Sequence, residues 1–160
     1  MCAIAAVGGV LLLASCGSDA PPGDAALPQR AADTASVGTV AIGGLGRVLA
    51  DGSGHVLYMF PPDARRRASC TGPCAGTWPP LAIRDGARPT ATAGARAGEL
   101  GTVADPNTGA RVVTYNGYPL YRYAGDVDPG EARGQALNLN GGPWYVLDPA
   151  GTPLTTAARP

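Results

Sequence analysis

Two cysteines are the first candidates for chemistry. Cys70 and Cys74 are separated by Thr71-Gly72-Pro73. The spacing supports two readings. Outside the cytoplasm such a pair persists as a disulfide, and Gly-Pro favours a turn tight enough to close it. A loop this small constrains little chain entropy, so it would staple a local turn more than the whole fold. As free thiolates, the same pair would suit Cu(I), a soft ion. His55 and Met59 lie in the same half of the chain and could add donors. The disulfide is the preferred reading, with no cofactor, and a copper or redox site is the alternative. Ala75 follows Cys74, so the Cys-x-x-Cys-His pattern of haem attachment is absent. With a single histidine, a four-ligand zinc site has too few donors.

A second candidate set is Tyr58, Phe60 and Asp63, which returns as Tyr121, Tyr123 and Asp126. Strand side chains alternate, so Tyr58 and Phe60 share one face and Tyr121 and Tyr123 another. Each aspartate then falls just past a strand end. Two phenols and two carboxylates could form a ligand site. The structural alternative is preferred, with aromatics in the core and carboxylates accepting bonds from turn amides or a nearby hydroxyl. Arg65-Arg66-Arg67 could meet anionic lipid or a cell-wall phosphate, or be a solvated loop. Asp126, Asp128 and Glu131 do not follow EF-hand spacing. Trp78 and Trp144 are expected to be core anchors.

Composition excludes much else. The chain has 160 residues, 15% of them charged, with zero formal net charge. A nucleic-acid binder would carry a basic excess. All twelve cations are arginine, so no phosphate-binding loop ending in Gly-Lys-Ser/Thr exists. There is no Gly-x-Ser-x-Gly elbow, and Glu99 and Glu131 are the only glutamates. An enzymatic role is therefore not expected.

The elements that position these residues are short strands. Gly (24) and Pro (16) punctuate β-prone runs at 39–42, 47–50 and 55–60. This reads as an antiparallel meander. The layout returns 63 residues later: 37–63 against 100–126 gives nine identities in 27 positions without a gap. They include Gly38/Gly101, Thr39/Thr102, Leu57/Leu120, Tyr58/Tyr121 and Asp63/Asp126. Asn116-Gly117 predicts a type I′ hairpin turn. After each meander comes Gly-x-Trp-x-x-Leu, at 76–81 and at 142–147. Each half is expected to be a three-stranded meander, a loop and a Trp-bearing strand. One half alone would be marginal, so the two should share a core.

Tyr-x-aromatic-x-x-Asp occurs at 58–63 and at 121–126. Together with Cys70-x-x-x-Cys74-x-x-x-Trp78-Pro-Pro-Leu, the run 114–121 and Gly-Gly-Pro-Trp-Tyr-Val-Leu at 141–147, it resembles the bacterial secreted-repeat lipoproteins. The resemblance covers about residues 37–151. It implies an extracytoplasmic, commonly lipid-anchored protein of unknown function, and carries over no catalytic residue.

The N-terminus fits that address. Residues 1–16 are apolar and uncharged, too short to span a bilayer as a helix. Leu13-Ala14-Ser15-Cys16 resembles a bacterial lipobox, although the positive start of a signal peptide is missing. The resemblance implies cleavage before Cys16 and its lipidation. The expected organisation is a signal peptide at 1–15, then the lipidated Cys16 and a flexible tether at 16–36. A two-repeat β domain follows at 37–157, with repeats at 37–85 and 100–151. The expected fold is all-β, with antiparallel meanders packed on one core as a sandwich or small barrel. The expected function is a membrane-anchored, non-enzymatic envelope interaction or scaffold module. Its partners would be an envelope protein or cell-wall component. The alternative is a metal or redox accessory lipoprotein.

Overall fold

The computed structural model describes residues 31–156. The expected signal peptide, Cys16 and most of the expected tether lie outside the described residues. The first repeat contains β1 (Ser36–Ile42), β2 (Gly46–Asp51), β3 (Tyr58–Met59), α1 (Pro73–Thr77) and β4 (Ala82–Ile83). A connecting stretch carries β5 (Thr90–Ala91) and a 3-10 turn, Ala97–Glu99. The second repeat contains β6 (Leu100–Ala104), β7 (Arg111–Tyr115), β8 (Tyr118–Pro119), β9 (Asn138–Leu139), β10 (Gly142–Pro143) and β11 (Tyr145–Val146). The fold is all-β, as expected, and no barrel closes among the described residues.

Each repeat opens with a hairpin, β1–β2 or β6–β7, in antiparallel register. In the first, Gly44 and Gly46 take φ of 76° and 82°, a region closed to most L-residues. Asn116 and Gly117 have φ of 49° and 79°, the two positive values that a type I′ turn requires. They join β7 to β8 as the sequence predicts.

Beyond the hairpins the repeats exchange strands. β4 of repeat one pairs with β7 of repeat two, and β11 of repeat two pairs with β3 of repeat one. The amide of Val113 donates to the Leu81 carbonyl, and that of Leu49 to the Leu147 carbonyl, both at 2.9 Å. Tyr58 and Tyr121 donate to each other's carbonyls at 2.8 and 2.9 Å. This reciprocal pair marks an approximate two-fold relation between the halves.

The meander forms in both repeats: the third run of repeat one pairs with β2 through the Ala50–Val56 bridge and the Leu57 amide on the Leu49 carbonyl, as β8 pairs with β7, and β3 then continues onto β11 of the other half. The tryptophans are not on strands. Trp78 closes α1, which starts at Pro73, a residue pre-set for a first helical position. Trp144 lies between β10 and β11. The ordered fold also begins earlier than the meander pattern implies. Ala32 bridges Ile83 in parallel, and Ala35 is buried, so 32–36 pack on the domain. These residues lack an apolar period; main-chain pairing, the buried Ala35 side chain and an Asp33–Arg84 ion pair hold them.

The core is shared. One cluster joins Leu49, Leu57 and Met59 to Leu81, Val113, Leu120 and Leu147. A second is aromatic: Tyr58, Phe60, Trp78, Tyr121 and Trp144. Both draw on both halves.

Candidate functional site

The repeated Tyr and Asp meet across the repeats. The Tyr58 hydroxyl donates to Asp126 Oδ2 at 2.6 Å, and the Tyr121 hydroxyl donates to Asp63 Oδ2 at 2.5 Å. Tyr58, Tyr121 and Asp63 are fully buried and Asp126 nearly so. The supporting bonds correspond as well. Asp63 Oδ1 accepts from the Ser69 amide (2.7 Å) and hydroxyl (2.6 Å), and Asp126 Oδ1 accepts from the Arg133 amide (2.8 Å). The next residue in the second loop adds a bond, the Gly134 amide donating to the Tyr58 hydroxyl at 3.2 Å, and Cys70 holds the corresponding place beside Tyr121.

Burial governs the electrostatics. Desolvation raises both carboxyls above the ordinary aspartate value, and the bonds from Ser69, Tyr121, Tyr58 and Arg133 only partly oppose it. Burial, together with the neighbouring carboxylate, pushes both phenols well above their usual range. Such hydroxyls serve as donors and not as bases.

The other motif aromatics build a four-ring stack. Phe60 lies on Trp144 with centroids 4.2 Å apart, Trp144 on Trp78 at 4.0 Å, and Trp78 on Tyr123 at 4.4 Å. Tyr58 meets Trp78, and Tyr121 meets Trp144, edge-on. Such pairs contribute about 0.5–1.5 kcal/mol each beyond their buried area. Each tryptophan is thus stacked against the other and against the motif aromatic of the opposite repeat. The Trp144 indole N–H donates to the Leu139 carbonyl at 3.0 Å, whereas that of Trp78 has no partner among the described residues.

Cys70 and Cys74 sit at disulfide distance, with Cα atoms 5.3 Å apart, Cys70 buried and Cys74 half-buried. Asn107 holds their loop from the other repeat. Its Nδ2 donates to the Cys70 carbonyl (3.0 Å), and its Oδ1 accepts from the Gly72 amide (3.1 Å). The remaining proposed donors do not join the cysteines. Met59 is buried in the aliphatic cluster, apart from the aromatic cluster that holds Cys70. His55 stands 4.0 Å from the Asp51 carboxylate. Among the described residues no group of three His, Cys, Asp or Glu could hold a metal ion.

Three further features were not singled out from the sequence. Arg122 of repeat two reaches Asp51 of repeat one through Nε and Nη2, both at 2.5 Å. Asn107 is the second, and the outer edge of β6 is the third. For Asn107 a signal was present, since Asp105-x-Asn107 is turn chemistry. Elsewhere, Arg65 lies over the Tyr118 ring at 5.2 Å. Glu131 accepts from the amides of Val127 and Asp128, closing the acidic loop.

No curated protein and no solved structure matches this chain. A family model described as a secreted repeat of unknown function matches twice, at residues 39–82 and 102–148. The matched stretches contain most of both hairpins, both Tyr/Asp motifs and both tryptophans. The chain belongs to this secreted-repeat family, with two copies of the repeat folded into one domain.

Proposed function

We propose that this is an extracytoplasmic lipoprotein, held at the bacterial cell membrane by lipid on Cys16. Its domain acts as a non-enzymatic interaction or scaffold module without metal or cofactor. The observation that carries the non-enzymatic reading is the fate of the motif. Tyr58, Tyr121, Asp63 and Asp126 are buried and spend their polar atoms on each other and on loop amides. A reacting group must be reachable, and these four form the seam between the halves. The secreted character of the family supports the location, and the sequence Leu-Ala-Ser-Cys ending at Cys16 supports the anchor. Neutral charge supports an envelope protein or cell-wall partner over nucleic acid.

Fatty-acid labelling and fractionation of cells expressing the wild-type chain and Cys16→Ser test this reading. The wild type should carry label in the membrane fraction and the variant should be released unlabelled. A wild-type chain that is soluble and unlabelled would refute the anchor.

The half-buried Cys74 favours one second reading, a metal or redox accessory role for Cys70 and Cys74. Native mass spectrometry of protein from an oxidising compartment separates the two. A mass about two daltons below the dithiol form fits the structural pair. Full thiol mass plus bound copper would establish the rival.

A further inference from the structure

The chain is neutral, but its outside is not. Residues 31–156 carry ten arginines and ten carboxylates, and four of those carboxylates, Asp51, Asp63, Asp105 and Asp126, are buried. No arginine in that stretch is buried, and Arg122 is the one that forms an ion pair with any of the four, at Asp51. Burial of carboxylates therefore leaves an excess of positive charge on the surface. Part of it stands around β6. One cleft is lined by Arg65 and Arg66 with Glu99, another by Arg88 and Arg111 with Asp85. Both clefts share residues 100–102, so four arginines against two carboxylates flank β6, and the strand itself carries no charge. Asp85 stands 4.0 Å from Arg111, both partly or largely exposed, and Glu99 has no ion pair among the described residues.

These cations are held in place. The Arg65 guanidinium lies over the Tyr118 ring at 5.2 Å, and the Arg66 amide donates to the Gly117 carbonyl at 2.7 Å. Arg111 donates through Nη2 to the Thr102 hydroxyl (3.1 Å) and carbonyl (3.2 Å). Guanidinium groups placed in advance lose less freedom when they meet an anion. The start of the described chain lies close by. Ala32 bridges Ile83, and Ile83 faces Arg111 in the β4–β7 register. Neighbouring strands lie about 4.8 Å apart, which puts Ala32 about 10 Å from Arg111 at the main chain. Residues 17–31, which join Cys16 to this side of the domain, span at most about 50 Å.

We propose that this basic face seats the domain on the anionic phospholipid head groups of the membrane that holds Cys16, with Arg65, Arg66, Arg88 and Arg111 meeting lipid phosphates. The inference rests on the anchor reading and adds an orientation to it, with β6 toward the bilayer. The complementarity is that of arginine with phosphate, which a guanidinium bonds through two parallel N–H groups. Acyl chains on Cys16 would hold the protein at the surface but set no orientation for a domain on a tether. They would also keep the local concentration of head groups high, so that contacts weak on their own suffice to seat it.

The test reconstitutes the full chain, purified from its native membrane, into vesicles of phosphatidylglycerol mixed with phosphatidylcholine and into vesicles of phosphatidylcholine alone. Hydrogen exchange at residues 64–67 and 100–104 should be several-fold slower on the anionic vesicles. Salt at about 1 M, where the Debye length is about 3 Å, should abolish the difference. Exchange in the acidic loop 126–131 should be the same on both. Arg88→Gln combined with Arg111→Gln should remove most of the slowing, whereas Arg133→Gln, beside the acidic loop, should not. Equal exchange on the two vesicle types, slowing that spreads to the acidic loop, or slowing that Arg88→Gln with Arg111→Gln leaves unchanged would overturn the seat on the membrane. Failure of the anchor reading shows separately, as a chain that does not float with phosphatidylcholine vesicles.

Discussion

The Tyr58 hydroxyl of the first repeat donates to Asp126 of the second at 2.6 Å, and Tyr121 returns the bond to Asp63. The motif therefore cannot be satisfied within one repeat. A lone repeat would leave a phenol and a carboxylate buried without partners, at about 1–3 kcal/mol per group. It would also lose half the ring stack. Residues 31–95 and 96–160 made separately should show no cooperative unfolding, and an equimolar mixture should recover it. Circular dichroism during thermal melting reads the difference.

Acid should help this seam. Asp63 and Asp126 hold their protons more tightly in the folded state than in the unfolded chain, where aspartate titrates near 3.8. The folded state then binds more protons, and their contribution to stability rises as pH falls toward 3.8 and declines as pH climbs through the raised folded values. Denaturant midpoints measured from about pH 7 to about pH 4 should show the wild type gaining on Asp63→Asn and on Asp126→Asn.

The two tryptophans should respond unequally. Trp144→Phe removes an indole bond to Leu139, worth about 0.5–1.5 kcal/mol. Trp78→Phe removes a buried N–H that has no partner among the described residues, which offsets part of its lost packing. Chemical denaturation of both variants should place Trp144→Phe as the more destabilised.

The Cys70–Cys74 loop is small, and it meets the core through Cys70, which is buried in the aromatic cluster. Replacing both cysteines with alanine should cost about 2 kcal/mol by the chain-entropy relation and leave the fold intact. Asn107→Ala, which releases the same loop from the other repeat, should cost about 1 kcal/mol. Midpoint shifts with unchanged near-ultraviolet dichroism are the expected readout.

Much of this was legible in the chain. Glycine and Asn-Gly punctuation located the hairpins, and the 63-residue recurrence located the repeat. What periodicity cannot carry is which equivalent residue touches which. Aligning Tyr58 with Tyr121 says that they are counterparts, not that each seeks the other's aspartate. The strand exchange was hidden for the same reason, since β4 and β11 are two residues long and take their partners from the opposite half. Trp78 was expected on a strand because it matched Trp144, yet Gly72-Pro73 begins a helical turn there. The Arg122–Asp51 pair lies 71 positions apart and has no local signature.

The central claim is that the family motif is a lock between repeats. A double-mutant cycle tests it most directly, with Tyr58→Phe combined first with Asp126→Asn and then with Asp63→Asn. The first pair should show a coupling of about 1–3 kcal/mol, and the second should be additive within about 0.5 kcal/mol. Strong coupling between Tyr58 and Asp63, with none between Tyr58 and Asp126, would contradict the account.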